Sequence, residues 1–237
     1  MSATVPDPQW RPHEAAQSGD AEAQAVLGQW LLDGRDGAPD AQQALQWFLK
    51  AAAQQHPMGM NMVGRCHENG WGTPVDWFAA ANWYRRAAAT GLDAAMYNYA
   101  NMLQAGRGVA QDHATAVALY RDAADMGHAK SMTKIGRYYE DGLVLEKDAD
   151  LALFCYREGA QGGDFRGMFS YAGMLAARGQ MDEALRWLEQ VPLTATPRFR
   201  AQAGALLLES PHEAFRAIGR QMLDQANDAK QASSRSI

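Results

Sequence analysis

The chain has 237 residues, 47% of them hydrophobic, and a formal net charge of −5. This is enough apolar material for a sizeable core; the acidic balance lacks the concentrated basic footprint of a nucleic-acid binder, and no apolar run approaches the roughly 18 residues that cross a bilayer. Alanine, glutamine, leucine and arginine dominate while isoleucine occurs only at Ile135, Ile218 and Ile237, so propensity favours helix over strand and an all-α fold is predicted.

The stretch MSATVPDPQWRPHEAAQ (residues 1–17) shows neither the basic and apolar regions nor the small-residue cleavage site of a secretory leader, and residues 1–7 are expected to be disordered. Residues 8–19 (PQWRPHEAAQSG) match the closing half of the units that follow, with Ala15, Ala16 and Gly19 in register, and are predicted to form an N-terminal capping helix. From 20 to 191 the chain repeats every 36 residues, in units of about 20–55, 56–91, 92–127, 128–163 and 164–191. A small residue recurs at Gly28, Gly64, Ala100, Gly136 and Ala172, each after a larger apolar one. It lies on the packed face of a first helix, where a missing side chain lets a neighbouring helix approach.

Gly34, Gly70, Gly106 and Gly142 stand where that helix needs a left-handed C-terminal residue. Asp40, Asp76, Asp112 and Asp148 follow six residues later and are placed to cap a second helix. Its buried face is then the pair Trp47-Phe48, Trp83-Tyr84, Leu119-Tyr120 or Cys155-Tyr156 with the small pair Ala51-Ala52, Ala87-Ala88, Ala123-Ala124 or Gly159-Ala160. The fifth unit departs from the pattern: Arg178 replaces the glycine, the loop is four residues shorter and the Asp cap is missing. Residues 192–229 are predicted as C-terminal capping helices. Ser210-Pro211-His212-Glu213 reads as a capping box with proline at the first helical position, leading into a helix over 213–228 with Phe215, Ile218 and Leu223 inward. Residues 230–237 are expected to be a disordered tail.

These columns, as in VGRCHENGWGTPVDWFAAANWYRRAA and YANMLQAGRGVAQDHATAVALYRDAA, resemble the Sel1-like repeat, a relative of the tetratricopeptide repeat. The resemblance implies a right-handed α-α superhelical solenoid whose first helices line a concave surface, and a role as a scaffold or adaptor that binds a protein or peptide. First-helix positions not used for packing are then the candidate contacts: Asn61, Arg65, Tyr97, Asn98, Asn101, Lys130, Lys134, Arg137 and Arg166, with Thr133 and Phe169 beside them. Arginine and lysine give charge-assisted bonds and asparagine both donates and accepts, which suits a carboxylate or an extended backbone. Asn61, Asn98, Asn101, Lys130 and Lys134 are similar to the carboxylate clamp of some tetratricopeptide domains, so an acidic or C-terminal carboxylate segment is the expected partner. Solvated surface is the alternative reading, with Glu68, Glu140 and Asp141 neutralising the cations in weak surface pairs.

Trp71, Trp77 and Phe78 stand in columns where the other units carry no aromatic. They are either a local packing solution or an exposed patch for a partner. Catalysis is not expected: no two histidines make the H-x-x-x-H spacing, and nucleophile-elbow, Walker and dinucleotide signatures are absent. No metal or cofactor is expected. A hydrolase or cell-wall-related enzyme of the β-lactamase-like type found in one branch of the family is the alternative, but that branch pairs cysteines within each helical pair, and here Cys66 and Cys155 fall in different units. Cys66, between Arg65 and His67, shares a packing column with Trp30, Met102 and Tyr138. Two cysteines that make no motif, expected as reduced buried thiols, suit a cytosolic protein. A monomer or weak self-association is expected.

Overall fold

The computed structural model describes residues 12–35 and 37–235, and all regular structure among them is helical. The expected disordered segment 1–7 and residues 8–11 of the predicted N-terminal cap lie outside the described residues. Two compact units are present, one closing at Met126 and the next opening at Gly127.

In the first unit, α1 (Pro12–Gln17) precedes three antiparallel pairs: α2 (Ala21–Asp33) with α3 (Ala41–Ala53), α4 (Pro57–Asn69) with α5 (Trp77–Ala88), and α6 (Asp93–Ala105) with α7 (His113–Asp125). The second unit holds the pairs α8 (Ala129–Asp141) with α9 (Ala149–Gln161) and α10 (Phe165–Ala177) with α11 (Met181–Leu188), then α12 (Val191–Thr194), α13 (Pro197–Leu208) and α14 (Glu213–Arg235). The expected fold class, consecutive 36-residue helix-turn-helix repeats, is the one observed.

Each repeat column has a visible cause. The carboxylates of Asp40, Asp76, Asp112 and Asp148 accept backbone N–H bonds from Gln43, Ala79, Thr115 and Leu151 at 2.8–3.0 Å, satisfying donors at the exposed positive end of each second helix. Gly34, Gly70, Gly106 and Gly142 end the first helices with φ of 63–74°. Gly28, Gly64 and Gly136 lie under the rings of Phe48, Tyr84 and Tyr156, where an added Cβ would meet ring carbons at 2.6–2.9 Å.

The buried tyrosines carry a second pattern. Tyr84 donates its hydroxyl to Glu68 Oε2 at 2.5 Å and Tyr156 donates to Glu140 Oε2 at 2.5 Å. Tyr120 reaches Asn101 Oδ1 at 2.8 Å, with Gln104 Oε1 at 3.0 Å. Residues 68, 104 and 140 are one repeat column, and in the first repeat that column is Leu32, opposite Phe48, which has no hydroxyl. A buried hydroxyl needs a partner, and the acceptor is present wherever the hydroxyl is.

Among the described residues, two left-handed positions are not glycine. Gln55 (φ 59°) occupies the column of Gly19, Gly91, Gly127 and Gly163, and Val144 (φ 67°) that of Gly72 and Gly108. Glycine is needed at 72 and 108 because a Cβ there would lie 2.3 Å from the Ala41 carbonyl oxygen and 2.0 Å from that of Trp77. In the fifth repeat Arg178 has φ −94°, and Gly179, at φ 79°, takes the left-handed turn instead. Arg178 reaches Asp150 Oδ1 at 2.7 Å and the Ala149 carbonyl at 3.3 Å, tying the shortened loop to the start of α9.

The C-terminal end differs from its sequence reading at two points. The last helix opens at Glu213, so Pro211 lies before it rather than at a first helical position, and the capping box is not formed: Ser210 Oγ accepts from the His212 N–H at 3.2 Å, and Glu213 is drawn to Arg216 and Arg220 instead of back to the cap. It then continues past 228, through residues expected to be a disordered tail, to Arg235. Phe215, Ile218 and Met222 are buried while Leu223 is half-buried. Helices α13 and α14 touch backbone to backbone at Gly204 and Gly219, where a Cβ on either would meet the other's carbonyl oxygen at 2.8 Å.

Candidate interaction surfaces on the first helices

In the first unit the amides are largely engaged in packing. Asn61 is buried, and its Oδ1 receives Asn98 Nδ2 at 2.9 Å, linking α4 to α6. Asn101 accepts the Tyr120 hydroxyl, and Tyr97 stacks at a tilt on Tyr120 with centroids 5.9 Å apart. Arg65 is half-buried, with its guanidinium 5.0 Å from the Trp71 ring centre and 3.5 Å from Met62 Sδ. The expectation of an amide groove facing solvent is therefore corrected at Asn61. A short polar side chain on a packed helix face must find a partner within the fold, and Asn98 one repeat further on supplies it.

Cys66 is fully buried, which pushes its thiol up to about 11 even though the neighbouring Arg65 charge acts in the opposite direction. A thiol so far from ionisation is a packing group rather than a nucleophile. The aromatic trio divides as well. Trp71 packs on the core of the α3–α5 layer. Trp77 is 37% exposed, with the Arg107 guanidinium 5.1 Å from its ring centre, and Phe78 is 69% exposed.

In the second unit the candidates converge. Thr133 on α8 fits against Gly159 and Gly167, where an added Cβ would meet its hydroxyl oxygen at 2.3 and 2.7 Å, so α8 and α10 run close together. Lys134 on α8 is half-buried. Burial first, then the charges of Arg137 and Arg166, lower its ammonium to about 8, and the Asp164 carboxylate partly offsets them. Lys130, Arg137 and Arg166 are exposed. Arg137 also makes a 3.4 Å surface pair with Asp141. Arg166 lies over Phe165 (4.5 Å) and Phe199 (5.5 Å). Glu68 and Glu140, the carboxylates nearest these cations in the repeat columns, each accept a tyrosine hydroxyl.

Sequence reasoning missed three residues here. Asp164 caps α10 through Gly167 N (3.3 Å) and is buried, its Oδ1 without a hydrogen-bond partner. Gly173 stands in the column of Arg65, Asn101 and Arg137, a signal available in the repeat alignment. Phe199 lies beyond the periodic region and gave no signal.

The fold and these faces define a helical-repeat protein. The Sel1 repeat family profile matches residues 21–56, 57–92, 93–128 and 129–164. The chain belongs to the Sel1 repeat family. Comparison with curated proteins gives no match. Among solved structures it is similar to a Sel1 repeat protein from Oxalobacter formigenes, with 23% identity, TM-score 0.74, and coverage of 90% of this chain and 89% of that one. The protective antigen c5321 of uropathogenic Escherichia coli is similar at 24% identity and TM-score 0.68, over 92% of this chain and 48% of that one. Immunity protein Pa5087 from Pseudomonas aeruginosa is similar at 14% identity and TM-score 0.60, over 95% and 83%. At these identities the likeness is one of fold.

Proposed function

We propose that the chain is a non-catalytic cytosolic adaptor that binds an acidic protein or peptide segment on the first-helix face of its second unit. Sel1 repeats commonly mediate protein–protein interaction, which supports the binding role. The observation that carries the choice of face is the gathering of Lys130, Lys134, Arg137 and Arg166 on α8 and α10 in a chain whose net charge is −5. Local positive charge against a negative background steers an acidic partner to that face and away from the rest of the surface. Both cysteines are buried and neither forms a disulfide, in keeping with a reducing compartment.

The test compares wild type with Lys130→Glu/Arg137→Glu/Arg166→Glu, three exposed positions. An array of acidic peptides, presented both internally and with free C-termini, is probed with each protein after their denaturation midpoints are shown to agree. Peptides held by wild type and released by the variant support the proposal. Peptides held equally by both place binding elsewhere, with the Trp77 and Phe78 patch the next surface to vary.

A further inference from the structure

The basic face of α8 and α10 borders an aromatic cluster that the charge argument does not use. Phe165, Phe169 and Phe199 meet with Phe199 at the centre: its ring lies 4.9 Å from Phe165 at 56° and 5.7 Å from Phe169 at 89°. Phe165 is buried, but Phe169 and Phe199 each keep part of their surface open. One turn beyond Phe169, on the same side of α10, Gly173 has nothing within 4 Å of where a Cβ would stand. The equivalent positions in the second, third and fourth repeats carry Arg65, Asn101 and Arg137, so the fifth alone among them leaves this place vacant. Arg166, also on this face, joins the two regions: it lies over the Phe165 and Phe199 rings, and its charge bears on Lys134.

We propose that Phe169, Phe199 and the vacant position at Gly173 form an apolar subsite beside the cations, and that the site selects acidic peptides ending in a large apolar residue. This rests on the proposed binding of acidic segments to the same face. The order of groups dictates the occupant. Arg137 and Arg166 meet the carboxylates, while an aromatic or branched aliphatic side chain next to the terminal carboxylate lies over α10 in the space left by Gly173. A small or polar terminal residue leaves the rings in water and gains nothing from them.

The experiment uses fluorescein-labelled acidic hexapeptides ending in Phe, Leu or Gly, each as free acid and as C-terminal amide, with binding to the full chain read by anisotropy. Phe and Leu free acids are expected to bind at least about 10-fold more tightly than Gly, the yield of burying one such side chain. Gly173→Leu fills an exposed, open helical position and is expected to bring the Phe-to-Gly ratio near one while keeping the preference for free acid over amide. Equal binding of Phe and Gly free acids by wild type, with that preference intact, overturns the subsite and leaves the acidic-segment reading standing. A Phe-to-Gly ratio unchanged by Gly173→Leu also overturns the subsite. Failure of every free acid to bind, or binding insensitive to Arg137→Glu/Arg166→Glu, overturns the underlying reading and the subsite with it.

Discussion

The pairing of a buried tyrosine with an acceptor on the preceding helix makes a prediction that the repeats themselves supply. Tyr84 is fully buried and its hydroxyl donates to the half-buried Glu68. Hydrogen bonds to charged groups are worth about 1.5–3 kcal/mol net; because Glu68 can rehydrate when its partner is lost, Tyr84→Phe is expected to cost about 1.5 kcal/mol. Glu68→Leu leaves a buried hydroxyl without a partner, which costs about 1–3 kcal/mol. The double variant reproduces the Leu32/Phe48 solution of the first repeat, so the two losses should not add, and a coupling of at least about 1 kcal/mol is expected between the contacting groups. Urea denaturation followed by circular dichroism measures all four proteins, with midpoints compared only where the m-values agree. Tyr84→Phe within about 0.3 kcal/mol of wild type, or a double variant equal to the sum of the singles, would refute the reasoning.

Other expectations follow from single positions. Val144→Gly removes a left-handed β-branched residue that costs about 1–2 kcal/mol, so even after the greater chain entropy of glycine the variant should denature at higher urea; Gln55→Gly should act in the same direction by less. Gly108→Ala must do the reverse, since its Cβ would stand 2.0 Å from the Trp77 carbonyl oxygen; a neutral result would contradict the packing of that turn. The Lys134 ammonium is lowered from 10.5 to about 8 in the folded protein, so below pH 8 both states are protonated and the folded state bears the full penalty. Between pH 8 and 10.5 the unfolded chain holds more protons and stability rises with pH. Lys134→Met should therefore raise the melting temperature at pH 7 and flatten the rise across that window relative to wild type. Cys66, its thiol at about 11 and fully buried, should react with a thiol reagent at pH 7.5 only at the rate of unfolding; rapid labelling in the native state would contradict its burial.

What the sequence determined by itself is everything that depends on neighbours within one repeat. The aspartate caps, the left-handed glycines, the small residues beneath Phe48, Tyr84 and Tyr156, and the weakened fifth unit all rest on contacts within a helix or between the two helices of a pair. Those contacts recur every 36 residues, so the columns announce them; the Tyr84–Glu68 pairing was equally present in the columns at 68, 104 and 140, though only the hydroxyl geometry gave it meaning. The capping-box reading failed at Ser210 because Arg216 and Arg220 compete for Glu213. Tertiary structure decided the rest. Whether Asn61 faces water or Asn98, whether Trp71 packs while Phe78 does not, and that Phe199 on α13 reaches Phe165 and Phe169 on α10 depend on side chains from different helical pairs meeting at a distance no fixed spacing encodes. A repeat pattern specifies the surface each helix buries against its partner; the groups left on the outer faces acquire their roles only when other helices stack beside them.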